Sequence, residues 1–413
     1  MCSVDNRLYW LWLQYVIRPA SPIKKLIDSY GTAEDFYLAG EAEWESFFGG
    51  NAKGAYKRAK EKSPEDFSDI VDFCDEHSLK IITPESEYYP KNLLGIDNYP
   101  AVIFVRGDYK CLNADVSFGV IGSRTPCVYG ENAAKSIVAD LVKKEALIVS
   151  GGALGIDSIA HKAAMDNGGK TVLVMGCGHG YNYLPENADL RKNVTKQGAV
   201  ISEYPPFTAV TQGSFPHRNR IISGMSEAVV IIEAAEYSGT FSTANHAKKQ
   251  GRELFVLPGD INSGNFAGSN RLITEGAKAV FSGEDILVAC NLMEPSEIVV
   301  TEKSGFAFEH IDEKSAEGKH STQKAKKTKA KAAKENKTEE KIQEKTENII
   351  KNLPAGISKN AEIVYNIMSD GINDLDEIKR KAQLEVRHVL VAMTELEILG
   401  FAENCSPGCY RIK

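Results

Sequence analysis

The chain has 413 residues, of which 43% are hydrophobic, with a formal net charge of −7 at pH 7. That length asks for two or three domains, and the apolar share suffices for at least one sizeable core. The acidic balance excludes a protein that coats nucleic acid through bulk charge, but it leaves room for a local basic groove, because screening confines charge effects to about 8–10 Å at physiological salt.

Residues 1–75 read as a small module of short helices. Apolar residues recur at helical spacing at Leu8, Tyr9, Leu11 and Trp12, and again at Ile23, Leu26 and Ile27. Pro19, Pro22, Gly31 and Gly49 punctuate them. The first residues lack the basic start and cleavage site of a signal peptide, and Asp5 stands where positive charge would be needed. No run of about 18 uncharged apolar residues follows anywhere, so no membrane span and a cytoplasmic location are expected.

From 76 to 290 short β-rich apolar runs alternate with helix-length amphipathic segments. The runs are Leu79–Ile82, Ala101–Val105, Phe118–Ile121, Ala146–Val149, Thr171–Met175, Ala199–Ile201, Ala228–Ile232 and Glu253–Val256. Such alternation predicts an α/β domain with a mostly parallel, Rossmann-like sheet and helices on both faces. Strands buried on both faces need near-continuous apolar runs of this kind. Residues 291–352 turn rich in Lys, Glu, Ala and Thr and read as a flexible charged linker. Residues 353–413 carry three helical patterns, then a Gly400-Phe401-Ala402 strand, a turn at Pro407-Gly408 and a last strand, which is the winged-helix plan. Glu385, Glu395 and Glu397 on the third helix make a poor surface for phosphate, favouring protein binding or intramolecular docking for that module. The eight cysteines include no Cys-x-x-Cys pair, and nothing completes a site around Cys405 and Cys409, so a reduced protein without metal is expected.

Four Gly/Ser-rich loops each follow a predicted strand and precede a predicted helix or turn. They hold Gly122-Ser123-Arg124, Ser150-Gly151-Gly152, Gly176-Cys177-Gly178 and Ser238-Gly239-Thr240. Glycine lets backbone approach a ligand closely, and a helix start offers N–H groups and a favourable dipole to an anion. In open α/β sheets ligands sit beyond the carboxyl ends of the strands, where these loops gather. The pattern matches neither the dinucleotide nor the P-loop fingerprint. A fifth segment adds Phe215, Arg218, Asn219 and Arg220: an aromatic can stack on a base and arginines can pair with phosphates. One of the two arginines is expected to anchor the helix in the core instead. Asp157 and His161 are read as a helix cap and a helix-face residue. Glu203 and Glu233 remain open between catalysis and bonding to loop N–H groups.

At these residues the chain resembles the DNA-processing protein A (DprA/Smf) family. The segments are Ile121-Gly122-Ser123-Arg124, Val149–His161, Tyr183-Leu184-Pro185-Glu186-Asn187, Ile201–Pro206, Phe215–Gly224, Ser238-Gly239-Thr240, Gln250–Glu253, Leu257-Pro258-Gly259 and Asn270–Ala277. The resemblance implies a single-stranded DNA-binding protein without catalytic activity or cofactor. It also implies self-association into a homodimer through the Rossmann-like core, and loading of RecA recombinase on incoming DNA during natural transformation. The flanking modules would be a sterile-alpha-motif-like and a winged-helix domain. By motif position the DNA contacts would be Gly122, Ser123, Arg124, Ser150, Gly151, Gly152, Phe215, Arg218, Asn219, Arg220, Ser238, Gly239 and Thr240, with Arg124 and the Phe215 segment foremost. Gln212 and Gly213 stand where the family often has a basic residue. The competing reading is a nucleoside-monophosphate phosphoribohydrolase of similar fold, but Thr243 sits where its catalytic glutamate would be.

Overall fold

A computed structural model describes residues 5–18, 21–49, 53–294, 357–369, 375–382, 384, 386–399, 401–406 and 409–412. Two compact units divide the chain, Met1–Val300 and Thr301–Lys413.

The first unit is organised by nine strands: β1 (Lys80–Ile82), β2 (Ile103–Gly107), β3 (Ser117–Gly122), β4 (Leu147–Ser150), β5 (Thr171–Met175), β6 (Ala199–Ser202), β7 (Ala228–Ile232), β8 (Glu253–Val256) and β9 (Lys278–Ala279). They form one sheet in the order β1-β2-β6-β5-β4-β3-β7-β8-β9. β1 pairs antiparallel with β2, and β2 with β6; every other pairing is parallel. Each of the eight apolar runs forms a strand. β4, β5 and β7 are buried along their whole length, which is why their sequences are apolar without alternation.

Within the sheet successive side chains still face opposite layers. Phe118, Val120, Val230 and Ile232 pack with α8 (Val128–Val142) and α9 (Ile156–Asp166). Ile121, Val149, Val229 and Ile231 pack on the other face with α11 (Ser214–Met225) and α12 (Thr240–Lys249). That second core continues into the N-terminal helices, among them Asn6–Ile17 and Glu41–Phe48. Trp12 lies 5.0 Å from the Tyr37 ring and 5.2 Å from Trp44. The Gln14 amide donates to the Glu203 carbonyl, tying the first helix to the end of β6.

Topology decides where a ligand can sit. From β3 the chain steps outward through β4 and β5 to β6, then returns to the other side of β3 and continues through β7 and β8 to β9. The order reverses between β3 and β7, so the loops leaving their carboxyl ends diverge and open a crevice.

The second unit contains helices Lys359–Ser369, Leu375–Ala382 and Val386–Ile398, followed by an antiparallel hairpin of Ala402–Ser406 with Cys409–Ile412. Val364, Tyr365, Met368, Ile378, Val389, Met393 and Leu396 form its core. The expected linker beyond Glu294 and the Pro407-Gly408 turn lie outside the described residues. Among the described residues, no helix is long and apolar enough to cross a membrane.

Candidate nucleic-acid interface

At the reversal point the loops after β3, β4 and β7 and the first turns of α11 enclose a cleft of about 470 Å³. Its floor is backbone. A Cβ on Gly122 would stand 1.8 Å from the Ile232 carbonyl oxygen, so only glycine lets β3 and β7 close this edge. Ser123 lies beside it with its carbonyl accepting from Ile156 N–H at 3.0 Å. Arg124 follows, exposed, lining the cleft, and without an ion pair among the described residues.

The β4 loop is held from inside. Ser150 is buried and its hydroxyl donates to the Val120 carbonyl at 2.7 Å. Gly151 lies between Arg218 and Asp157: a Cβ there would be 2.6 Å from Arg218 Nη2 and 2.8 Å from Asp157 Oδ2. Arg218 donates to the Gly151 carbonyl at 2.8 Å and to the Val174 carbonyl. Burial lowers the Arg218 pKa, with Asp157 opposing that shift. Burial likewise raises the Asp157 carboxyl, with Arg218 opposing. The expected cap is therefore corrected: Gly155 is the N-cap of α9, and Asp157 reaches back to the Ala153 N–H at 3.3 Å. Gly155 has φ +78°, and a Cβ on it would be 2.3 Å from the Ser123 carbonyl, so the chain can only turn into α9 there with glycine.

His161 lies on α9, on its buried face. It is fully buried, with Nδ1 2.7 Å from the Thr171 hydroxyl. That hydroxyl donates to the Ile148 carbonyl at 2.8 Å, so His161 Nδ1 is the donor to it. Burial pushes the His161 pKa down to about 3, leaving the ring neutral.

On α11, Phe215 is half-buried with its ring centre 5.0 Å from Tyr183 and 5.8 Å from the Arg218 guanidinium. Asn219 accepts from Arg218 Nε at 3.2 Å. Arg220 falls elsewhere: it is wholly buried and donates to Glu203 at 2.5 Å. On the β7 side Glu233, at φ +58°, accepts from Cys127 N–H at 2.8 Å and so steadies the segment after β3. Both carboxylates that were open between two roles thus serve the framework. The Ser238 hydroxyl donates to Thr240 Oγ1 at 2.8 Å and accepts from Thr240 N–H at 3.2 Å.

The cleft thus gathers Gly122, Arg124, Gly151, Phe215, Arg218, Asn219, Ser238, Gly239 and Thr240. Ser123, Ser150, Gly152 and Arg220 are not part of its lining. Tyr183 and Asp157 line it without having been among the expected contacts; the Tyr183-Leu184-Pro185 segment after the third loop was the available signal. Thr243, not a carboxylate, faces the cleft from α12. Two arginines against one aspartate, beside a pair of aromatic rings, make a surface suited to an anionic ligand that also carries a flat ring.

Residues 80–291 match the family described as DNA recombination-mediator protein A. The chain is 38% identical over 211 residues to the DNA processing protein DprA of Bacillus subtilis, covering 71% of that protein and 51% of this chain. It is 39% identical over 199 residues to the DprA of Streptococcus pneumoniae, covering 70% of that protein and 48% of this chain. The X-ray structure of the Streptococcus pneumoniae protein superposes with a TM-score of 0.60 at 30% identity, covering 69% of this chain and 98% of that one. The matched segment contains every loop of the cleft, and the chain belongs to the DNA recombination-mediator protein A family.

Proposed function

We propose that the cleft binds single-stranded DNA. Arg124 neutralises a phosphate, backbone of the β3, β4 and β7 loops accommodates its neighbours, and Phe215 with Tyr183 stacks on bases. The observation that carries this reading is the exposed Arg124, without an ion pair among the described residues, sharing one cleft with a half-exposed aromatic pair. Duplex fits less well, because its bases are not free to stack. Arg218 takes a supporting part: its guanidinium holds the Gly151 loop in place while one edge lines the cleft.

The relatives are named DNA processing proteins, which supports a wider role. In that role the protein protects incoming single strands in the cytoplasm and loads RecA recombinase on them during natural transformation, without catalysis. Two copies would join through the sheet-bearing core to lengthen the track. The N-terminal helices would act as a sterile-alpha-motif-like module and the second unit as a winged-helix module that engages a protein partner.

The test is binding of a fluorescent oligo-dT to wild type and Arg124→Ala across a salt series, with matched duplex as competitor. Tight binding to the single strand is expected. Losing one phosphate contact should reduce the log–log salt slope by about 0.7. Absence of binding at low salt would sink the proposal and turn attention to nucleoside monophosphates.

A further inference from the structure

The turn after β7, next to the cleft, carries an aromatic ring that stacks on no other ring among the described residues. Tyr237 is 94% exposed, more than any other large hydrophobic side chain among the described residues. It is not itself part of the cleft lining, but it directly precedes Ser238, Gly239 and Thr240, which are.

The segment that presents it is firmly held. Ser238 N–H donates to the Ala235 carbonyl at 3.2 Å, closing a turn with Glu236 and Tyr237 at its two central positions. Before the turn, Ala234 N–H donates to the Ser269 hydroxyl at 2.8 Å and the Ala234 carbonyl accepts from Ser269 N–H at 3.0 Å. After it, the Ser238 hydroxyl bonds Thr240 through both side chain and backbone. A turn held on both sides fixes the backbone that carries the tyrosine and leaves both faces of its ring open to solvent. Its neighbours narrow what that face can meet. Exposed Glu236 repels phosphate from the tip, so the ring meets a base rather than the strand's backbone. Gly239 lies in ordinary helical backbone, and a Cβ there would touch nothing within 4 Å, so the fold itself makes no demand for glycine at this position. Bare backbone there suits the close approach of a phosphate.

We infer that Tyr237 is a second stacking residue for single-stranded DNA, facing a base from the β7 side of the cleft while Phe215 and Tyr183 face one from the α11 side. The strand then meets aromatic rings carried by separate segments around the cleft. This inference rests on the single-strand reading of the cleft.

The experiment compares wild type, Tyr237→Ala and Tyr237→Phe on oligo-dT and on an abasic oligonucleotide of equal length, each across a salt series. Thermal unfolding checks that the variants remain folded. Tyr237→Ala should weaken oligo-dT binding by about 5- to 150-fold, the range for loss of one base–aromatic stack. Its salt slope should equal that of wild type, because no charge is removed. Tyr237→Phe should bind like wild type, and all three should bind the abasic strand equally. Wild-type affinity of Tyr237→Ala for oligo-dT, or an equal loss on the abasic strand, would overturn the inference while wild-type binding keeps the cleft reading standing. Failure of wild type itself to bind oligo-dT would overturn both.

Discussion

Replacing Arg220 by alanine tests whether this residue supports the cleft from the core or contacts a ligand. The Arg220 side chain is fully buried, and its partner Glu203 is 3% exposed at 2.5 Å. Truncation leaves the Glu203 carboxylate in the core without its counter-charge, a loss of about 3–5 kcal/mol for pairs of this kind. In large domains each kcal/mol shifts Tm by about 2–4 °C, so a fall of about 6–20 °C is expected. The pair is also imperfectly satisfied: Arg220 Nε and Nη1 and Glu203 Oε2 have no hydrogen-bond partner among the described residues. Replacing both residues, Arg220→Met with Glu203→Leu, should therefore recover most of the lost stability, since removing both charges together is often neutral or favourable. The assay is thermal unfolding by circular dichroism of the full chain, paired with oligo-dT binding at a temperature where every variant is folded. Folded Arg220→Ala should bind within a few-fold of wild type. An unchanged Tm with lost DNA affinity would refute the reasoning, because it would put Arg220 on the ligand rather than in the core.

Gly239→Ala should leave Tm close to that of wild type, because the site has room and a backbone conformation alanine adopts, while alanine is the poorer N-cap for the helix that follows. It should nonetheless weaken oligo-dT binding, and full affinity would show that no phosphate comes close there. Acid should destabilise the first unit before carboxylates titrate. Burial holds His161 down to about 3 and His179 to about 4, while both would take up protons near 6.5 in the unfolded chain. The unfolded state then binds more protons, so stability is complete above about pH 6.5 and declines as the pH falls toward the folded values. A Tm that does not move between about pH 6.5 and 5 would contradict this account.

Most of the sheet was legible because its strands are buried on both faces. Thr171–Met175 and Ala228–Ile232 carry their burial in their composition. β9 was not legible: Lys278 and Ala279 are both exposed, so no apolar run marks them. At the site, the glycine loops could be read because backbone approach leaves a residue-type trace. The fates of the two arginines on α11 could have been separated further by helix phase. Phe215, Arg218 and Asn219 stand at i, i+3 and i+4 and share the cleft face, whereas Arg220 at i+5 turns away into the core. Asp157 could not be read from spacing alone, since its reach back to Ala153 depends on the left-handed turn at Gly155. Tyr183 arrives on a separate loop after β5, and no local pattern records which ring it will meet.

The backbone floor of the cleft divides the chain's tolerance for change. Gly122 and Gly155 admit no side chain, because any Cβ would collide with a carbonyl of the facing segment. Arg124 and Tyr237, at the rim, are exposed and have few ties to the rest of the molecule. On the proposed reading, substitutions that retune how tightly a strand is held can therefore accumulate there one at a time, each carrying little folding cost. The floor offers no such intermediate steps, so the shape of the cleft is inherited whole or lost.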